Sequence, residues 1–235
     1  VYIFPAHLFN PTSVRAGVMP TVISGGTAIS GDETVIQTDG GGRWRVEYSD
    51  IDIDDPALER LWDQWVSYLS GGARAVLVPL LSLATAPRPY VGAPDADPSD
   101  LFWDDDAFPS FVQFASPHIL ANTVYYAPVR ATTLTIDVKQ GSRLRGGEKL
   151  SVDGRAYLIE RVISRSDFLP GDGQRAECVI SPPLRREIVN PASLNFDWPL
   201  VQCRAEIGQS LIPDMELGMF STTSISFVED FSNAN

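Results

Sequence analysis

The sequence predicts a mostly β protein with one amphipathic helix laid on a β-layer and a small β-barrel or sandwich in its second half. Three observations predict it. Apolar and polar residues alternate in short runs: Trp44, Val46 and Tyr48 against Arg43, Arg45 and Glu47, and Leu134, Ile136 and Val138 against Thr133, Thr135 and Asp137. A period of two is that of a half-buried strand. Turn signals such as Asp153-Gly154 and Pro170-Gly171-Asp172-Gly173 separate short runs, at the spacing of a barrel or sandwich. Only residues 56–70 carry a strong helical period.

From the amino end, residues 33–38 and 43–49 read as strands joined by Asp39-Gly40-Gly41-Gly42, which predicts an antiparallel hairpin. The helix follows. Asp55 suits the cap, and Pro56 the first helical position, where its missing N–H is no loss. Leu58, Leu61, Trp62, Trp65, Val66 and Leu69 form one apolar stripe, and Gly71-Gly72 supplies a left-handed stop. Trp62 and Trp65 read as core residues on a β-layer, each burying roughly 150–250 Å². Residues 74–83 then read as a strand covered on both faces.

Residues 87–123 change character. Six prolines punctuate a stretch rich in aspartate and aromatics, including Phe102-Trp103-Asp104-Asp105-Asp106, and no period persists. It reads as a long loop or extended arm whose aromatics pack on this subunit or a neighbour. From Val124 the β pattern resumes. Residues 148–152, the Asp153-Gly154 turn and residues 156–163 predict a tight hairpin, and residues 175–181 a further strand. Strands around 200–207 and 223–229 close the chain. The organisation expected is therefore 1–86, a loop or arm at 87–123, a small barrel at 124–187, and C-terminal strands at 188–235 that return to the first domain or stand apart.

Composition narrows the function. The 18 basic and 30 acidic residues give a formal charge of −12, so a nucleic-acid-coating role, which needs a basic stripe, is not expected. The longest apolar stretch, residues 75–84, is broken by Pro79 and falls short of the ~20 residues a membrane helix requires. Residues 1–9 show no basic segment followed by an apolar run, so no signal peptide is expected. Cys178 and Cys203 form neither a zinc pattern nor a disulfide framework. A bridge between neighbouring strands fits them, as do two buried thiols, which a reducing cytosol favours.

No nucleotide-binding, metalloprotease, nucleophile-elbow or thiol-redox motif occurs. Gly25-Gly26 and Gly40-Gly41-Gly42 lack the Lys-Ser/Thr of a phosphate cradle and read as turns. His7 and His118 sit in no nucleophile pattern. Asp95, Asp97, Asp100 and Asp104 to Asp106 offer oxygen ligands for calcium, but without the glycine and closing glutamate of an EF-hand loop; a solvated acidic loop is the plainer reading. No enzymatic activity and no cofactor are expected.

The order of these features carries a resemblance. The strand Arg43-Trp44-Arg45-Val46, the helix bearing Leu61, Trp62, Trp65 and Leu69, then Gly71-Gly72 and residues 75–79 resemble the amino-terminal β-sandwich of distal tail proteins and related minor tail proteins of long-tailed phages. Gly146-Gly147-Glu148, Asp153-Gly154-Arg155-Ala156-Tyr157 and Ser181-Pro182-Pro183-Leu184-Arg185 are similar to a barrel inserted in such proteins, and Ser226-Phe227-Val228-Glu229-Asp230-Phe231 to their ending. The resemblance covers about two-thirds of the chain and leaves out 87–123.

The resemblance implies a virion structural protein, assembled in the host cytoplasm. Copies would form a homohexameric ring between the tail tube protein and hub or other tail-tip proteins, with no membrane partner. The sandwich and its helix would close the ring, and DNA would pass through unbound. Part of the acidic excess would then face the lumen and keep phosphates from adhering. Two other readings stand beside it. One is a carbohydrate- or receptor-binding tail protein using the loop Phe102, Trp103, Asp104, Asp105 and Asp106. The other is another tail component, a hub or terminator subunit.

Overall fold

The computed structural model describes residues 1–27, 29–37, 41–82, 84–87, 119–167, 173–216 and 220–232. The chain is mostly β, as the alternation predicts, with a sheet-and-helix sandwich and a nearly closed six-stranded barrel. It divides into two compact units, Val1–Leu81 with Leu200–Asn235, and Ser82–Pro199. The borders expected from sequence are 86/87 and 187/188. They fall elsewhere because β-pairing between residues distant in sequence decides which core a segment joins.

The first unit is built on an antiparallel sheet in the order β1 (Ser13–Met19), β4 (Arg43–Ile53), β14 (Phe220–Glu229), β12 (Leu200–Ala205) and β5 (Ala75–Pro79), with β13 (Asp214–Glu216) beside β14. Strand β4 is central. Trp44, Val46 and Tyr48 are buried, and so are Ile51 and Ile53. The step from 48 to 51 breaks the period of two, and the cause is a bulge. Asp50 takes a positive φ of 54°, and the pairing with β14 jumps from Tyr48↔Ile225 to Ile51↔Thr223. The extra residue re-aims the following side chains into the core. A strictly alternating reading therefore ends this strand at 49.

The hairpin expected between 33–38 and 43–49 does not form. Strand β4 pairs with β1 on one side and β14 on the other, while β3 (Glu33–Gln37) pairs with β2 (Val22–Thr27) in a separate two-stranded sheet. An eleven-residue strand with five buried apolar side chains needs neighbours along its whole length, and these long-range partners supply them. Gly25 and Gly26 sit inside β2 at a bulge, so they are not the turn their pairing suggests.

Helix α2 (Pro56–Leu69) starts as the sequence predicts: Asp55 Oδ1 accepts the Ala57 N–H at 2.8 Å, and Pro56 opens the first turn. Its end comes one residue before the glycine pair. Ser70 already has φ 47°, and its N–H bonds back to Val66 O. Gly72 is required for a second reason, because a Cβ there would lie 2.4 Å from Ala205 O. The strand expected over 74–83 is confined to Ala75–Pro79. A four-residue helix, α1 (Ala6–Phe9), precedes β1. Before it, Ile3 bridges Leu77 in parallel, through Phe4 N–H to Leu77 O and Leu77 N–H to Tyr2 O, both 2.8 Å.

The second unit is a sheet in the order β11 (Ser193–Leu194), β6 (Leu120–Thr123), β7 (Thr133–Gln140), β10 (Gln174–Ser181), β9 (Arg155–Asp167) and β8 (Lys149–Val152). The hairpin of β8 and β9 forms on Asp153-Gly154 as predicted. Residues 120–123, read from sequence as the end of a loop or arm, are strand β6, paired with β7 and β11. Two register shifts between β9 and β10 curl the thirteen-residue β9, as bulges do when a sheet closes. Leu134, Ile136 and Val138 point into the core with Leu150, Ile159 and Phe196.

Candidate functional site

The helix residues expected to matter for assembly are mainly core. Trp62 and Leu69 are fully buried, while Leu61 and Trp65 are half-buried. Trp62 donates its Nε1–H to Leu211 O at 2.9 Å and stands edge-on to Phe9. Trp65 packs edge-on against Phe4 and Tyr68. Phe4 joins these to the sheet, with ring centroids 5.6 Å from Tyr48 and 5.0 Å from Phe227. The aromatic stripe thus ties helix, amino-terminal segment and sheet into one core, and its outward face is polar: Glu59, Arg60, Asp63, Gln64 and Ser67 are exposed. The interaction loop Phe102, Trp103, Asp104, Asp105 and Asp106 lies outside the described residues, as do the other loop aspartates and His118.

The β2–β3 ribbon follows the β1–β4 pair as a separate two-stranded arm. Met19 pairs with Arg43 at the end of one ribbon and Val22 with Gln37 at the start of the next. At its base Gly42 passes so close to the other strand that a Cβ would lie 2.2 Å from Met19 O. Ile23 stands opposite Ile36 on one face, and Val22 and Val35 lie on the other. These four side chains are 53–58% exposed. A two-stranded hairpin is marginal in water by itself, and these exposed aliphatic side chains make the ribbon the candidate surface. Sequence reasoning missed the arm because its residues do not alternate. The available signal was the pair of apolar doublets, Val22-Ile23 and Val35-Ile36, about a glycine-bearing turn.

Charge is divided between the units. The first holds fifteen acidic and six basic residues, a formal −9, and the second, Ser82–Pro199, fifteen acidic and twelve basic, a formal −3. Much of the first unit's excess lies on one exposed run: Asp50, Asp52, Asp54, Asp55, Glu59 and Asp63, with Arg60 as the base among them.

Among the described residues no three His, Cys, Asp or Glu side chains converge as a metal ion would need. His7 is exposed on α1. Both cysteines are free and buried, one in each unit. Burial, aided by Glu148, pushes the Cys178 thiol up to about 12, so it stays protonated at neutral pH. Burial likewise raises the Tyr48 phenol, whose O–H donates to Pro79 O. Glu148 accepts N–H bonds from Arg145 at 2.6 Å and Gly146 at 2.7 Å, which pins the loop before β8. These groups hold structure together.

On the barrel, Tyr125 and Tyr126 are exposed; Tyr126 O–H donates to Glu187 at 2.9 Å, and Arg175 makes a bidentate pair with Asp137, 2.7 and 2.9 Å. Among the described residues no helix is long and apolar enough to cross a bilayer. No protein-family model matches the chain, and no curated protein matches it.

Proposed function

We propose that this chain is a structural subunit that assembles with copies of itself into a ring, in the manner of the distal tail proteins it resembles. The ring would join a tail tube to hub or fibre proteins and leave a channel for DNA. The observation that carries this reading is the β2–β3 arm, whose two apolar faces are exposed among the described residues. A neighbouring copy would cover both faces, and copies of one chain are the commonest partners in soluble oligomers.

The charge supports the same reading. The unit bearing the arm is the unit that carries −9, and a lumen lined by carboxylates repels phosphates and lets DNA slide. The test is the mass of the purified protein, by sedimentation and by single-particle imaging. A closed oligomer of fixed number supports the reading. A solitary 25.7 kDa particle at every concentration, also beside a tail tube protein, overturns it.

A second reading, carbohydrate or receptor binding, is favoured by the exposed Tyr125 and Tyr126 beside fixed carboxylate and guanidinium groups on the barrel. Tyr126→Ala would then abolish attachment of the assembled particle to host cells while leaving the oligomer intact.

A further inference from the structure

The arm has a counterpart at the far end of the main sheet, beyond β5. The strand order runs β1-β4-β14-β12-β5, and the arm follows the β1–β4 end. At the other end, β5 is bordered by the amino-terminal segment. Phe4 N–H and Tyr2 C=O bond to Leu77, so the peptide N–H and C=O of Ile3 between them face away from β5. Tyr2 is 69% and Ile3 49% exposed. This edge therefore offers outward backbone groups and apolar side chains together, which is what strand addition uses.

Charge agrees with the match. The only charged residues of the segment 19–37 are Asp32 and Glu33. Arg74 is exposed over the Tyr68 ring, and Tyr68 touches Tyr2.

Resting on the ring reading, we propose that the β2–β3 arm of one copy lies along the Tyr2–Ile3 edge of the next copy, with Asp32 and Glu33 toward Arg74. Two different patches make a head-to-tail contact, which closes into a ring where the rotation per copy divides a full turn and otherwise runs on as a filament, whereas one patch used twice stops at a dimer. The geometry thus gives the direction of assembly as well as its cause.

The test uses the full chain carrying Ile3→Cys and Ile23→Cys together, oxidised gently, with each single variant as control. Cys178 and Cys203 are buried and leave the background low. Ile3 borders β5 at one end of the sheet order, and Ile23 lies on the ribbon that follows β1 at the other; an intrachain bond would show as a shifted monomer band and is told from the ladder by mass. The proposal expects the double variant to give a reducible covalent ladder up to the oligomer number, with neither single variant cross-linking. An intact oligomer with no ladder, or dimers from Ile23→Cys alone, overturns the head-to-tail docking and leaves the ring reading standing. A protein that stays monomeric throughout removes both.

Discussion

Ile23 faces Ile36 directly across the β2–β3 ribbon, each more than half exposed, with no layer of the chain's described residues over them. Cross-strand aliphatic pairs normally stabilise a sheet by excluding water from one face. Here the pair faces solvent, so its contribution comes when a second surface covers it.

Replacing both by lysine, Ile23→Lys with Ile36→Lys, should therefore leave the folded monomer almost untouched, because surface substitutions change stability by about 0.5 kcal/mol or less. Self-association should weaken at least tenfold. Thermal melting and sedimentation equilibrium on the same sample separate the two effects. A large fall in melting temperature with unchanged association would show the arm to be part of the monomer's core.

The helix was legible from sequence because every signal for it is local: Asp55 and Pro56 at the start, a 3.6-residue stripe, glycine after the end. The barrel strands were legible because Leu134, Ile136 and Val138 alternate cleanly. What escaped depends on partners far away in the chain. Strand β1 reads Ser-Val-Arg-Ala-Gly-Val-Met, weak in β-branched residues, and is held by its register with β4. The second half of β4 was hidden by the bulge at Asp50, and the arm by its two-sided apolar pattern.

The two helix tryptophans should differ in weight. Sequence alone expects Trp65→Ala to cost about 3–5 kcal/mol. The structure transfers that cost to Trp62, which is fully buried and whose loss also leaves Leu211 O without its donor. Trp62→Ala should cost about 3–5 kcal/mol, and Trp65→Ala, half-buried, clearly less. Urea unfolding of both variants ranks them; the reverse order would contradict the packing described.

Alkaline pH should destabilise the barrel through Cys178. Burial raises its thiol from 9.0 to about 12, so the folded state holds the proton more tightly than the unfolded one. Stability from this source is whole below pH about 9 and is lost as pH rises toward about 12. Cys178→Val removes the titration and should flatten the melting temperature across that window relative to wild type. An unchanged slope would show that Cys178 does not govern it; the Tyr48 phenol, raised in the same direction, would be the next group to test by Tyr48→Phe.

Salt should strengthen assembly. Units carrying a formal −9 repel one another when brought side by side. The screening length falls from about 10 Å at 0.1 M to about 3 Å at 1 M salt, so this repulsion shrinks. The apolar contact at Ile23, Ile36, Val22 and Val35 does not depend on charge and is not screened. The pairing of Asp32 and Glu33 with Arg74 is screened as well, but it is small against the net repulsion of the whole units. Raising sodium chloride from about 0.05 to about 0.5 M should thus tighten self-association several-fold, read as a shift in the sedimentation isotherm. If salt instead loosens the oligomer, ion pairs between copies hold it together, and the arm cannot be its principal contact.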